Sequence, residues 1–154
     1  MKSMLFSPIS IGDLVLKNRI VVAPMCQYSA IDGSATDWHL MHLGQFSISG
    51  SGLTFIEATA VEEKGRITPG CLGLYSDNNE KELEKIVQFF KKYGNSKIGI
   101  QLAHAGRKAS TEIPWQGGLP LEEGNDQRWD TVAPSAKSYS SNWPSPSELE
   151  TSGL

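Results

Sequence analysis

The residues that could do chemistry gather in two short stretches. Ala23-Pro24-Met25-Cys26-Gln27-Tyr28 places a thiol, a phenol and a rigid proline directly after the apolar run Ile20-Val21-Val22. Lys97-Ile98-Gly99-Ile100-Gln101-Leu102 is a second strand-like run, and it leads straight into Ala103-His104-Ala105-Gly106-Arg107-Lys108. Polar and reactive groups at the carboxyl ends of apolar strands are how a parallel α/β scaffold builds an active site. Taken singly, each residue also has a plainer reading. Cys26 would be an inert small hydrophobe, Tyr28 a packing residue with one bonded hydroxyl, and Gln101 a polar group satisfying backbone at a strand end. In extended chain Cys26 and Tyr28, two positions apart, would leave the same face.

The elements that must position these groups can be read from period and punctuation. Gly12-Asp13 between Ile9-Ser10-Ile11 and Leu14-Val15-Leu16 signals a hairpin over about residues 9–16. Residues 20–23 read as a short buried strand, and Thr36 or Asp37 caps a helix that runs to about Ile48 before Gly50-Ser51-Gly52. Residues 53–58 form the second strand. Asp77 or Asn78 opens a helix with Leu83, Ile86, Val87 and Phe90 on one face, and Gly94 stops it. Residues 97–102 are the third strand. A hairpin followed by βαβαβ implies parallel strands joined by right-handed crossovers. Residues 103–146, rich in proline, glycine and tryptophan, read as a packed lid-like loop. Ser147-Glu148-Leu149-Glu150 has the form of a capping box, which predicts the start of a helix.

Composition narrows the function classes. A formal net charge of −3 leaves no basic stripe for a phosphate backbone, so nucleic acid is not expected as a partner. No apolar run approaches a membrane span and no secretory core is visible, so the expected compartment is the cytoplasm. Cys26 and Cys71 lack paired zinc spacing and read as free thiols of a reducing environment. His39 and His42, spaced i, i+3, have no evident third metal ligand; core or solvent-side hydrogen bonding is the expected use. His104 and Arg107 are expected to hold the loop after the third strand. Neither a Gly-x-Gly-x-x-Gly nor a Walker pattern occurs.

Several ordered motifs together carry a family likeness: Leu16-Lys17-Asn18-Arg19-Ile20, Pro24-Met25-Cys26-Gln27-Tyr28, Asp37-Trp38-His39, Glu57-Ala58-Thr59-Ala60-Val61, Gly65-Arg66-Ile67-Thr68-Pro69-Gly70-Cys71, Gln101-Leu102-Ala103-His104-Ala105-Gly106-Arg107 and Ala133-Pro134-Ser135-Ala136. The chain resembles the old yellow enzymes, and within them the branch with a cysteine beside the flavin. The resemblance implies the N-terminal portion of an α/β (β/α)8 TIM barrel and an FMN-dependent oxidoreductase. Such an enzyme takes hydride from NADPH or NADH and delivers it to an activated carbon–carbon double bond in an enal, enone or nitroalkene. It implies that Cys26 lies at the reactive edge of the flavin and that Tyr28 faces the substrate. Ala23, Pro24 and Met25 would form a wall for the ring, while Ala58 brings backbone to it and Gln101 meets its imide edge. A homo-oligomer in a full-length form is compatible with it.

The likeness runs from about Leu5 to the last residue, and the family's chain continues for roughly as long again or more. A complete barrel needs about 200 residues at least, so 154 residues read as its front part. The pocket histidine pair, the proton-donor tyrosine and the basic phosphate anchors of the family are expected outside this stretch. The rival expectation is a truncated, non-catalytic remnant.

Overall fold

Gly12 adopts a left-handed backbone with φ 56°, and the tight turn it permits pairs β1 (Ile9–Ile11) antiparallel with β2 (Leu14–Leu16), Ile9 opposite Leu16. The computed structural model describes residues 3–153. After the hairpin come β3 (Val21–Val22), α1 (Asp37–Ser47), β4 (Leu53–Ala60), α2 (Asp77–Tyr93) and β5 (Lys97–Ala103). The three strands form one parallel sheet in the order β3-β4-β5. β3 is shorter than the expected 20–23, and Pro24, which has no N–H to offer a ladder, follows it closely. β4 outruns the expected 53–58 because its pairing with β5 continues to Ala60 and Ala103.

Both crossover helices form where their caps predict. Thr36 is the extended N-cap of α1, and its N–H donates to the ring of His39 at 3.0 Å. The Ser76 hydroxyl caps α2 by accepting from the Asn79 N–H at 3.2 Å, and Gly94 closes it through the Phe90 carbonyl. Asp77 and Glu80 lie at the positive end of α2, and Lys91 and Lys92 at the negative end. The apolar stripe of α2, Leu83, Ile86 and Phe90, packs with Leu43 of α1, Ile56 of β4, Ala35 and Leu72 into one buried core. Burial of each such side chain contributes about 1.5–3 kcal/mol. Val21, Ala23, Met25 and Gln101 stay exposed.

Two departures from the sequence expectation matter. The β4–β5 register shifts between Ile56, opposite Ile100, and Ala58, opposite Gln101, so Glu57 is an extra residue in a bulge. Ser147-Glu148 does not start a helix. It forms β7 (Ser147–Glu148), which pairs in parallel with β6 (Val132–Ala133), and the Ser147 N–H that a capping box would use donates to the Thr131 carbonyl. Side chains hold the chain between β5 and β7, both to the loop after β4 and within itself. Trp129 Nε1–H donates to the Lys64 carbonyl at 2.9 Å, and Arg107 reaches the Lys137 carbonyl at 2.7 Å and the Ser135 hydroxyl at 3.1 Å. No helix among the described residues is long and apolar enough to cross a membrane.

Candidate functional site

The bulge brings a carboxylate into the interior and turns it into a clamp. Glu57 is buried, and its Oε1 lies 3.0 Å from Nε2 of the equally buried His39. Its Oε2 accepts the backbone N–H of Gln27. The His39 Nδ1 accepts from the Thr36 N–H, which leaves the ring proton on Nε2, facing Glu57. One side chain therefore ties the segment after β3 to the N-terminus of α1, from a position beside Ala58. The sequence pattern hid this: a carboxylate inside the apolar run Leu53–Ala60 was the available signal, since glutamate is buried only when it is paired.

Cys26 immediately precedes the clamped Gln27 and is half-buried. Its neighbours include the Cys71 thiol and the Ala58 backbone. Ala58 in turn lies directly opposite Gln101 across the β4–β5 ladder. Cys26, Ala58 and Gln101 thus form one row across the carboxyl ends of neighbouring chain segments, with Gln101 open to solvent and Met25 exposed nearby along the chain. The Cys71 sulfur is buried and receives the Thr68 N–H at 3.4 Å, with the Thr68 hydroxyl at 3.3 Å. The neighbouring Cys26 thiol, opposed by burial and helped by Thr68, holds the Cys71 thiol below its ordinary range. Cys71 in turn, with burial adding, pushes Cys26 up. The role of Cys71 was not visible in the sequence, where it is 45 residues from Cys26 and in an unrelated context.

Tyr28 corrects the extended-chain argument. Its φ is 53°, in the left-handed region that a residue with a side chain seldom enters, so period two does not carry from Cys26 to Tyr28. The segment is held in this shape from below. The Ala30 N–H donates to the Gly70 carbonyl at 2.9 Å, and a Cβ on Gly70 would lie 2.7 Å from the Tyr28 carbonyl oxygen. The Tyr28 ring meets Trp115 edge-on at 5.3 Å and lines a cavity of about 760 Å³ whose far walls include Arg66, Ile113, Gln116 and Trp129. Burial, then the neighbouring Cys26, Cys71 and Glu57, raises the Tyr28 phenol, so its hydroxyl keeps a proton to donate.

His42 lines the same small pocket as His39 and Glu57. Its ring packs edge-on to Phe46 at 5.2 Å, and burial lowers its proton affinity. His104 donates from Nε2 to Glu62 at 2.6 Å and accepts from the Gly106 N–H, which with the Arg107 bonds fixes the loop after β5.

A parallel α/β sheet with polar groups at its strand ends and a long structured segment after β5 has clear solved counterparts. Morphinone reductase superposes with a TM-score of 0.77 at 25% identity, over 97% of this chain and 40% of that one. The old yellow enzyme homologue from Zymomonas mobilis gives the same TM-score and identity over 97% of this chain and 41% of that one. The fold is therefore that of the old yellow enzyme class of (β/α)8 barrels, of which this chain spans about two fifths. Residues 4–142 match the sequence pattern of the NADH:flavin oxidoreductase / NADH oxidase family, and the chain belongs to that family. An NADH:flavin oxidoreductase of Gibberella zeae is 53% identical over 110 residues, 71% of this chain and 26% of its own length. The NADPH dehydrogenase of Bacillus cytotoxicus is 42% identical over 144 residues, 86% of this chain and 41% of its own.

Proposed function

We propose that this chain supplies the thiol, phenol and carboxamide side of an FMN site in an NADPH- or NADH-dependent oxidoreductase that reduces the activated double bond of an enal, enone or nitroalkene. The row formed by Cys26, Ala58 and Gln101 carries the reading. The residues fit the cofactor: Gln101 offers both a donor and an acceptor to an imide edge, Ala58 is small where a ring must approach backbone, and the Cys26 sulfur is polarisable. Ala23, Pro24 and Met25 give the adjoining wall. FMN, when bound, supplies the hydride chemistry, and the protein supplies position and electrostatics.

Tyr28 is the substrate-facing donor in this reading. Its protonated hydroxyl, beside the cavity, would polarise the carbonyl or nitro group of the acceptor. Cytoplasmic operation accords with two free thiols.

Stopped-flow kinetics of the FMN-loaded protein test the proposal. Tyr28→Phe removes one hydrogen bond worth about 0.5–3 kcal/mol, so oxidation of the reduced protein by an enone should slow by roughly two-fold to a hundred-fold. Reduction by NADPH should change less, since it needs no polarised acceptor. Equal slowing of both steps, or no effect on the enone step, would remove Tyr28 from the substrate site. Failure of FMN to bind a protein that carries these residues together with the remainder of the barrel would remove the function.

A further inference from the structure

Gln27 is given no contact with flavin or substrate above, yet each of its polar atoms has a partner. Its N–H donates to the buried Glu57 carboxylate, and its carbonyl accepts the Ser29 hydroxyl at 2.9 Å. Its Oε1 accepts the Trp38 indole N–H at 3.1 Å, while its Nε2 donates to the Met25 carbonyl at 2.8 Å. Further on, the Thr36 hydroxyl donates to the Ser29 carbonyl at 3.1 Å. Thr36, Trp38 and His39 are the cap and first turn of α1, so a single helix end holds the segment from Met25 to Ser29.

The carboxamide is the group that suits this place. A carbonyl such as that of Met25 can only accept, and an indole N–H such as that of Trp38 can only donate. Glutamine meets both at once, and the two partners fix which way its amide points. A glutamate would set a carboxylate oxygen against the Met25 carbonyl, and an apolar side chain of the same length would satisfy neither partner. The bond back to Met25 also closes a small ring of chain, and the residue enclosed in it is Cys26. Trp38 is 50% exposed, so water competes for these bonds and their share in global stability is small. What they fix is orientation.

We propose that Gln27 is a positioning residue: its amide, braced by Trp38, fixes the backbone of Cys26 and so aims the Cys26 sulfur at the reactive edge of the flavin. The target rests on the flavin reading; the brace rests on the hydrogen bonds. Tyr28 packs on Gly70 and Trp115 instead, so the brace acts through Cys26.

Two measurements keep the brace and the flavin reading apart. The first is heteronuclear NMR of the chain, following the Trp38 indole N–H and the α and β carbons of Cys26 in wild type, Gln27→Met and Trp38→Phe. The bond from the Gln27 N–H to Glu57 is main chain and survives both substitutions. In Gln27→Met the indole proton should exchange faster by roughly two-fold to ten-fold, the range one neutral hydrogen bond commands, and the Cys26 carbons should shift. Trp38→Phe should shift them in the same direction. Cys26 carbons that stay in place in Gln27→Met would overturn the proposal. The second measurement uses a protein that carries these residues together with the remainder of the barrel, loaded with FMN. There Gln27→Met should slow oxidation of the reduced flavin by an enone about two-fold to ten-fold, and in a Cys26→Ala background it should change nothing further. No slowing, or equal slowing with and without the sulfur, would overturn the positioning role. Failure of wild type to bind FMN would overturn the flavin reading, while the Cys26 carbons still decide whether the brace holds.

Discussion

Glu57→Ala should destabilise the fold by about 3–6 kcal/mol, because two hydrogen bonds to a buried carboxylate are lost, each contributing about 1.5–3 kcal/mol. Both carboxylate oxygens are in use, one on His39 and one on the Gln27 N–H, and His39 is buried where water cannot replace the lost acceptor. Glu57→Gln keeps an acceptor of similar shape and should cost distinctly less. Glu63 gives the contrast: its carboxylate contacts Arg66 at 3.5 Å but is 75% exposed, so Glu63→Ala should cost about 0–1 kcal/mol. Urea unfolding midpoints of the three variants check the order. Equal losses for Glu57→Ala and Glu63→Ala would show that the clamp contributes nothing beyond a surface contact. Because Glu57 also holds the chain leading to Cys26 and precedes Ala58, the alanine variant should disorder the Cys26, Ala58 and Gln101 row along with the fold.

The contrast between legible and hidden features follows the range over which each is determined. The α2 stripe of Leu83, Ile86 and Phe90 is set by a local period, and all three are buried as that period predicts. The hairpin turns on one glycine, and the caps at Thr36 and Gly94 each depend on atoms within four residues. Glu57 with His39 is a contact between elements, and the local window shows only a carboxylate in an apolar run, not its partner. The left-handed backbone of Tyr28 has the same origin. No glycine announces it; Gly70, from a different loop, packs against the Tyr28 main chain and accepts the Ala30 N–H. At Ser147 the two scales compete. The capping-box letters favour a helix locally, but hydrogen bonds from Ser147 to the Thr131 carbonyl and from Leu149 to the Ala133 carbonyl draw the backbone into a strand. Strand pairing satisfies backbone groups that a single helical turn would leave open, and the tertiary contact wins.

Arg66→Ala should release the wall of the Tyr28 cavity while leaving the sheet intact. The Arg66 guanidinium is buried between two rings, 5.4 Å from the centre of Trp129 and 6.0 Å from that of Tyr75. It also donates to the Glu63 carbonyl at 3.1 Å and the Pro69 carbonyl at 3.3 Å within the loop after β4, and its stacking on Trp129 joins that loop to the loop after β5. Hydrogen bonds to a charged group contribute about 1.5–3 kcal/mol each and a cation over an aromatic face about 0.5–2, but the freed loops recover solvation. A net local loss of about 2–4 kcal/mol corresponds to amide exchange faster by roughly 30-fold to 1,000-fold. The amides that report it are Glu112, bonded to the Leu119 carbonyl, Leu121, bonded to the Ser110 carbonyl, and Trp129, bonded to the Ser110 hydroxyl. Amides of β4 that pair with β5 should keep their protection. Arg66→Lys preserves charge but not the planar fork that reaches two carbonyls and stacks between two rings, so it should resemble alanine more than wild type. Unchanged exchange at Leu121 and Trp129 would mean that Trp129 is held by its own bond to the Lys64 carbonyl alone; equal acceleration throughout β4 would mean that Arg66 supports the whole fold and not the cavity wall.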